Sequence, residues 1–232
     1  MFNNQTIKQL FLRFSFLAAS VISIAFTLWF SFPVNGSLNT ASISKTFDTV
    51  LTPAGFTFII WSLIYLILIS LGIGIATKKV KLSFEGNCFY LISCMWICLW
   101  SVFWTGLNPI LSGLALVMIM GFNVATFGKL ARSNQDLLSN QKLNQKLLYN
   151  FITSGFLVYL GWTIVASVIN VTIALQYGLG FDGFGIAPEI WRIIILAVAV
   201  GINLRFSYRV KNYTTFTVLL WAMFGIWIKA QA

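Results

Sequence analysis

The sequence has no histidine, only five acidic residues, and charge at just 9% of its 232 positions. Each shortage removes a class of function. No Ser, Cys or carboxylate stands beside a base, so hydrolytic and group-transfer chemistry lacks its proton acceptor, and the chain reads as a non-enzyme. The acids Asp48, Glu85, Asp136, Asp182 and Glu189 fall in loops or at the ends of apolar runs. Proton- and sodium-coupled carriers bury an ionisable group inside the bundle, so coupled transport is disfavoured. A retinal Schiff base needs a lysine deep in the last apolar run, but Lys229 stands at its end. The three cysteines, Cys88, Cys94 and Cys98, crowd one run. No disulfide framework is expected from them, and without histidine or carboxylate nearby they read as small apolar filler.

What the chain has in quantity is apolar surface. With 59% hydrophobic residues it cannot build a water-facing exterior, so its solvent must be lipid. A transmembrane barrel needs short alternating segments, whereas these runs are apolar on every face, which leaves an all-α polytopic helical bundle. About 20 residues cross the hydrocarbon core as a helix. On that measure spans are expected at 14–32, 54–76, 88–105, 110–131, 149–177, 190–206 and 214–228, seven in all. The first follows Lys8 and Arg13 but is longer than the apolar part of a signal peptide, so it is expected to be retained.

The formal charge of +10 would suggest nucleic acid in a soluble protein, but here the basic residues sit between apolar runs and act as topology signals. Lys8 and Arg13 precede span one. Lys78, Lys79 and Lys81 follow span two; Lys129, Arg132, Lys142 and Lys146 follow span four; Arg205, Arg209 and Lys211 follow span six. Only Lys45, Arg192 and Lys229 fall on the other side. This alternation predicts a cytoplasmic amino terminus and an outside carboxyl terminus, in a plasma membrane of bacterial type. Segment 132–150 reads equally as a surface amphipathic helix or as extensions of spans four and five. Loop 178–188, with Gly178, Gly180, Gly183 and Gly185 around Asp182, carries turn chemistry.

Nine tryptophans are distributed with a pattern. Trp96, Trp100 and Trp104 recur every four residues, a drift of about 40° per step at about 100° per residue, so they form a stripe on span three. Trp61 and Tyr65 repeat the offset on span two, and on span five Tyr159, Trp162, Ala166 and Asn170 fall within an arc of about 80°. Trp29, Trp104, Trp191, Trp221 and Trp227, near span ends, read as interfacial anchors. Trp61, Trp100 and Trp162 sit deeper, where an indole N–H needs a partner that lipid does not supply. Packing and an internal pocket both account for them. Asn123 and Asn203 read as interhelical hydrogen-bonding amides.

Residues 52–65, Thr-Pro-Ala-Gly-Phe-Thr-Phe-Ile-Ile-Trp-Ser-Leu-Ile-Tyr, resemble the entry to helix two of the tryptophan-rich sensory protein or translocator protein (TspO/MBR) family, where a proline-containing loop leads into W-x-x-L/I-Y. Tyr159-Leu160-Gly161-Trp162, with Ala166 and Asn170, resembles that family's fifth-helix pattern P-Y-x-x-W-x-x-x-A-x-x-x-N, and Trp100 with the aromatics after it resembles W-x-x-x-F-F of its third helix. The motifs also occur in the family's order. The chain departs from the family at Ser93 and Ile97, where Q-x-x-x-N is usual, and at Val50-Leu51-Thr52-Pro53 in place of W-x-P-P. A sterol-type motif fails at Tyr177, because no basic residue follows within reach.

The resemblance implies a TspO-like five-helix membrane domain over 1–178, with two additional spans over 179–232 packed on it. It further implies an aromatic pocket between helices two, three and five, capped by the first loop, that holds porphyrins and related hydrophobic ligands. The implied lining is Trp61, Tyr65, Trp100, Tyr159, Trp162, Ala166 and Asn170, with Pro53 in the cap. The expected function is therefore a sensory or binding protein for a tetrapyrrole-like ligand. No obligatory cofactor is implied; porphyrin or haem would be the ligand, and without histidine any haem iron would turn to Tyr, Cys or Met. The alternative is a seven-helix transporter of a small neutral or hydrophobic solute. Expected partners are the bilayer, the ligand and a second copy of the chain, since Gly72, Gly74, Gly155 and Gly161 permit close helix contact.

Overall fold

The protein, described as a computed structural model, is defined over residues 4–31, 43, 44, 46, 47, 49, 51–139 and 142–231. Lys45, Asp48, Val50 and the Lys8 side chain, which entered the charge and cap arguments, lie outside the described residues. Among the described residues there is no strand. The bundle is built from α1 (Asn4–Ser31), α2 (Ile60–Ala76, entered through a 3₁₀ turn at Gly55–Ile59), α3 (Phe84–Thr105), α4 (Pro109–Ser133), α5 (Leu143–Ile173), α6 (Pro188–Val210) and α7 (Thr214–Ala230). Six of these helices, α2 counted with its 3₁₀ turn, are long and apolar enough to cross a membrane. α7 has 17 residues, the lower limit for a spanning helix. The protein is an integral, multi-pass membrane protein.

The helix starts follow from local chemistry. Ser83 caps α3 by accepting from the Gly86 N–H, and Asn108 caps α4 by accepting from the Leu111 N–H, each filling one orphan donor of a first turn. Pro109 at the first turn of α4 loses no hydrogen bond, because that N–H has no intrahelical partner anyway. Within segment 132–150, α4 runs on to Ser133 and a separate short helix occupies Asp136–Ser139. α5 already starts at Leu143, and its 31 residues make a rod of about 46 Å that outreaches a hydrocarbon core of about 30 Å. Beyond Ile173 the same helix ends in a π turn, Ala174–Gly178. In the following loop the Asp182 side chain accepts from the Phe184 N–H, closing a turn between glycines of positive φ at 180, 183 and 185.

α5 is the central helix, with 72% of its span buried inside the protein against 17% for α6. α1 packs on α2 and α3, α4 bridges α3 and α5, and α7 lies on α5 with α6 outside it. The close approaches are made by small residues. A Cβ at Gly72 would meet the Leu17 backbone of α1, and one at Gly161 would meet the Thr215 Cα and Val218 of α7. Phe16 and Tyr90 stack at 3.7 Å, and the Tyr90 hydroxyl pairs with Ser20 at 2.7 Å, joining α1 to α3. Ser93 donates to Asn123 Oδ1 at 2.8 Å, so the Asn123 amide does bridge α3 and α4. Asn203 does not bridge helices as expected: it donates to Ala199 O one turn back in α6, a carbonyl within reach of its own helix. The three cysteines are free.

One end of the bundle collects the basic connections. Arg13 on α1 donates to Ala76 O at the end of α2, the Lys81 N–H donates to Asn134 Oδ1 after α4, and Asn212 before α7 donates to Ser154 on α5. Lys81–Asp136 and Lys129–Glu85 are ion pairs across neighbouring connections at the same end.

Candidate functional site

α2 and α3 both lean on α1, and the indoles meet in the space between those two helices and α5. Trp61 of α2 stacks on Trp100 of α3 with centroids 6.5 Å apart and planes 29° apart, and it meets Trp162 of α5 edge-on at 6.4 Å and 85°. Trp100 continues the stack to Trp104 at 6.0 Å, while Phe58 stands edge-on to Trp162 at 5.9 Å. These are the offset and T-shaped arrangements that aromatic quadrupoles favour. The three deep indoles therefore converge and do not point separately into lipid.

The rings border a small cavity. Of the eight residues expected to form the site, Pro53, Trp61, Trp100, Trp162, Ala166 and Asn170 line it. Tyr65 and Tyr159 do not; they stand behind Trp61, with ring centroids 5.7 and 6.5 Å from its ring. Ser44, Thr52, Phe58, Trp104, Leu116, Ile169 and Ile173 complete the wall. Trp104 was expected to anchor at the membrane interface, but it is only 4% exposed, because its place on the Trp96–Trp100–Trp104 stripe turns it inward. That stripe was the signal that could have found it. Ile169 and Ile173 follow from Ala166 and Asn170 on the same face of α5, but aliphatic residues carry no signal to separate a pocket wall from ordinary packing.

Of the other expected anchors, Trp29 and Trp227 are well exposed on the helix surfaces. Trp191 and Trp221 instead donate their indole N–H to backbone carbonyls, Gly183 O at 2.7 Å and Thr57 O at 3.0 Å.

The cap is a small hydrogen-bonded knot. Thr52 Oγ1 accepts from the Thr49 N–H at 2.9 Å and lies 3.1 Å from Thr49 Oγ1. Next to it the Ala54 N–H donates to Gly225 O at 3.0 Å, and Phe56 meets Trp221 edge-on at 5.5 Å. α7 thus braces the proline loop, whose Pro53 lines the cavity. Thr57 lies so close to Gly225 that a side chain there would collide with it. On the opposite wall Ser167 donates to Leu116 O at 3.0 Å, which fixes α5 against α4 beside Ala166.

The wall is almost wholly apolar, with a few specific polar atoms. Trp100 Nε1, Trp162 Nε1 and Asn170 Oδ1 are buried without a hydrogen-bond partner among the described residues, while Asn170 Nδ2 donates back to Ala166 O at 3.1 Å. The described lining carries no acid or base, and no group of three potential metal ligands occurs among the described residues. Among the described residues the lining also contains no Tyr, Cys or Met to ligate a haem iron, since Tyr65 and Tyr159 lie behind Trp61. Such a cavity offers stacking and burial.

The family model of TSPO-like proteins matches residues 10–232, a stretch that includes α6 and α7 as well as the first five helices. Among curated proteins and among solved structures, nothing matches the chain. A match over nearly the whole length, on a helical membrane bundle, shows that the chain belongs to the TSPO-like protein family.

Proposed function

We propose that this TSPO-like membrane protein is a sensory or binding protein that holds a hydrophobic, tetrapyrrole-like ligand in the aromatic chamber between α2, α3 and α5. The observation that carries this reading is the convergence of Trp61, Trp100 and Trp162 from three helices on one cavity, with two of the three indole N–H groups unpartnered among the described residues. A small-molecule site is concave, mainly apolar and furnished with few polar atoms, and this one has those properties. A flat ring sandwiched between two parallel rings needs about 7 Å from centroid to centroid, twice a contact of about 3.5 Å. Trp61 and Trp100 are closer than that, at 6.5 Å, so a macrocycle enters by displacing a ring. Trp61 is the one of the three that is only half-buried, and it is the ring placed to move. With no iron ligand in the described wall, a metal-free macrocycle suits the chamber better than haem.

Titration of the purified protein with protoporphyrin, followed by the porphyrin's own emission, tests the reading. Saturable binding should weaken about tenfold or more, equivalent to about 1.4 kcal/mol, in Trp61→Ala plus Trp162→Ala. Equal binding in wild type and variant would remove the pocket assignment. The transport alternative draws on Asn123 Nδ2 and Asn170 Oδ1, buried amide atoms without partners among the described residues. Solute flux into proteoliposomes that depends on Asn170 would favour it over binding alone. The lysine and arginine pattern further supports an amino terminus in the cytoplasm and a carboxyl terminus outside, in a plasma membrane of bacterial type.

A further inference from the structure

α2 and α6 end alike, each on a residue type that strains the turn. At α2 the Lys79 N–H donates back to Gly74 O at 2.9 Å and the Lys78 N–H to Ile75 O at 3.0 Å. At α6 the Asn212 N–H donates to Ser207 O at 3.1 Å and the Lys211 N–H to Tyr208 O at 3.3 Å. Such a pair of bonds closes a helix by turning one residue into the left-handed region, a place glycine usually holds because it has no Cβ to crowd the backbone. Here both places are lysine, Lys78 at φ 60° and Lys211 at φ 53°. Both side chains are exposed, and neither has a partner among the described residues. Nothing described within the chain answers their charge. Glu85 and Asp136, the described acids at this end, are already paired with Lys129 and Lys81, while Lys79, Arg132, Arg205 and Arg209 add further positive charge.

We propose that the basic end of the bundle is a binding surface for anionic phospholipids of the leaflet around it, with Lys78 and Lys211 as its contacts to headgroup phosphates. Depth argues for lipid. The spans Gly55–Ala76 and Glu189–Val210 have 22 residues each, about 33 Å of helix against a hydrocarbon core of about 30 Å, so a residue just past either end lies at the level of the headgroups. The neighbours argue the same way. Tyr208 and Tyr213, on either side of Lys211, are well exposed, as tyrosines of an interfacial belt are. Leu143 and Leu147 are exposed in the same stretch as Lys142 and Lys146, and the exposed rings of Phe11 and Phe84 meet at 6.5 Å. Charge interleaved with bare apolar side chains fits a layer of headgroups over acyl chains. A nucleic acid or a soluble acidic protein would neutralise the charge and leave the apolar groups in water.

Energy transfer from the protein's tryptophans to dansyl groups on the acyl chains of phosphatidylglycerol or phosphatidylcholine, in phosphatidylcholine nanodiscs, reads which lipid gathers at the protein. Wild type should enrich phosphatidylglycerol about tenfold over phosphatidylcholine and lose most of that enrichment between about 50 and about 500 mM salt. Lys78→Gly plus Lys211→Gly should lower the enrichment about fivefold. Lys78→Arg plus Lys211→Arg, which keeps the charge, and Arg192→Gln at the other end should each stay within about twofold of wild type. Thermal midpoints separate recognition from folding. In pure phosphatidylcholine the double glycine variant should melt at or above wild type, because the left-handed positions are relieved, and wild type should gain on it only when phosphatidylglycerol is present. A double glycine variant that already melts lower in pure phosphatidylcholine would mean that the lysines serve their own helix ends, and would overturn the proposal. Equal phosphatidylglycerol enrichment in wild type and the double glycine variant would overturn it as well. Retention of a DNA oligonucleotide at physiological salt, with no enrichment of phosphatidylglycerol, would reassign the surface to a soluble polyanion. None of these readouts involves the aromatic cavity, so the binding function proposed above stands or falls separately.

Discussion

The residues that matter most here are those whose single polar group has one destination. Tyr65 and Tyr159 were expected to line the cavity but stand behind Trp61. Changing either to Phe should therefore leave porphyrin affinity within about twofold, a change below about 0.5 kcal/mol, whereas Trp104→Ala should weaken it several-fold by removing the partner that Trp100 stacks on. Parallel titrations of the three variants check this, and a loss at Tyr159→Phe as large as at Trp104→Ala would contradict the placement. Away from the cavity, Ser93→Ala should destabilise the protein by about 1 kcal/mol, because Asn123 Oδ1 loses its donor at a position with no access to water. Ser93→Ala with Asn123→Leu should recover only part of that loss, since the buried Tyr159 hydroxyl loses its hydrogen bonds to both residues. Thermal denaturation in detergent gives both values. The hydroxyl at Ser93 also accounts for one departure from the TspO/MBR pattern, which has a glutamine there: it is used in packing against α4 and does not face the ligand space.

At the level of elements, α7 is the helix whose role sequence spacing did not reveal. As a span it is short and unremarkable in composition, yet it touches the cap through the Ala54–Gly225 and Thr57–Trp221 hydrogen bonds and touches α5 through Gly161. Replacing Gly225 with Val should push α7 off the proline loop, lowering both thermal stability and porphyrin affinity. Trp221→Phe, which loses only the bond to Thr57 O, should cost about 0.5–1.5 kcal/mol and speed ligand dissociation by about threefold to tenfold. Stopped-flow displacement measures the second effect, and an unchanged dissociation rate in both variants would show that the brace does not govern release from the cavity. The existence of α1 to α7 was legible in the runs themselves, because a lipid solvent demands about 20 apolar residues per crossing. The ends were less so. The start of α5 at Leu143 lies in a stretch of Asn, Gln and Lys with interleaved Leu, where helix extension and surface helix give the same pattern, and only the continuous backbone decided it.

For the whole molecule, the basic connections are drawn to one end by hydrogen bonds between segments distant in sequence, such as Arg13 to Ala76 and Lys81 to Asn134. A cysteine placed at Lys79 or Lys211, in a variant with Cys88, Cys94 and Cys98 replaced, should be labelled by an impermeant reagent from the cytoplasmic face only, and one at Arg192 from the other face only. The reverse pattern would invert the proposed orientation. The Lys81 ammonium, by hydrogen bonding, holds the Asp136 carboxyl below its usual range. That tie is therefore complete above the ordinary carboxylate pKa of about 3.9 and is lost as pH falls through the lowered value, and being exposed it contributes little to stability. Composition and run length by themselves determined that the chain is helical and crosses a membrane several times, because those properties follow from which solvent the side chains tolerate. The stripes of Trp and Tyr determined which helix faces carry rings. Only the tertiary structure decided which rings share a cavity. Helical period places Tyr65 and Trp61 on one face equally well, but the axial depth at which α2, α3 and α5 meet brings Trp61, Trp100 and Trp162 together and leaves the tyrosines behind. The same crossing of helices strands two indole N–H groups in an apolar wall, and no periodicity in the sequence could have shown that.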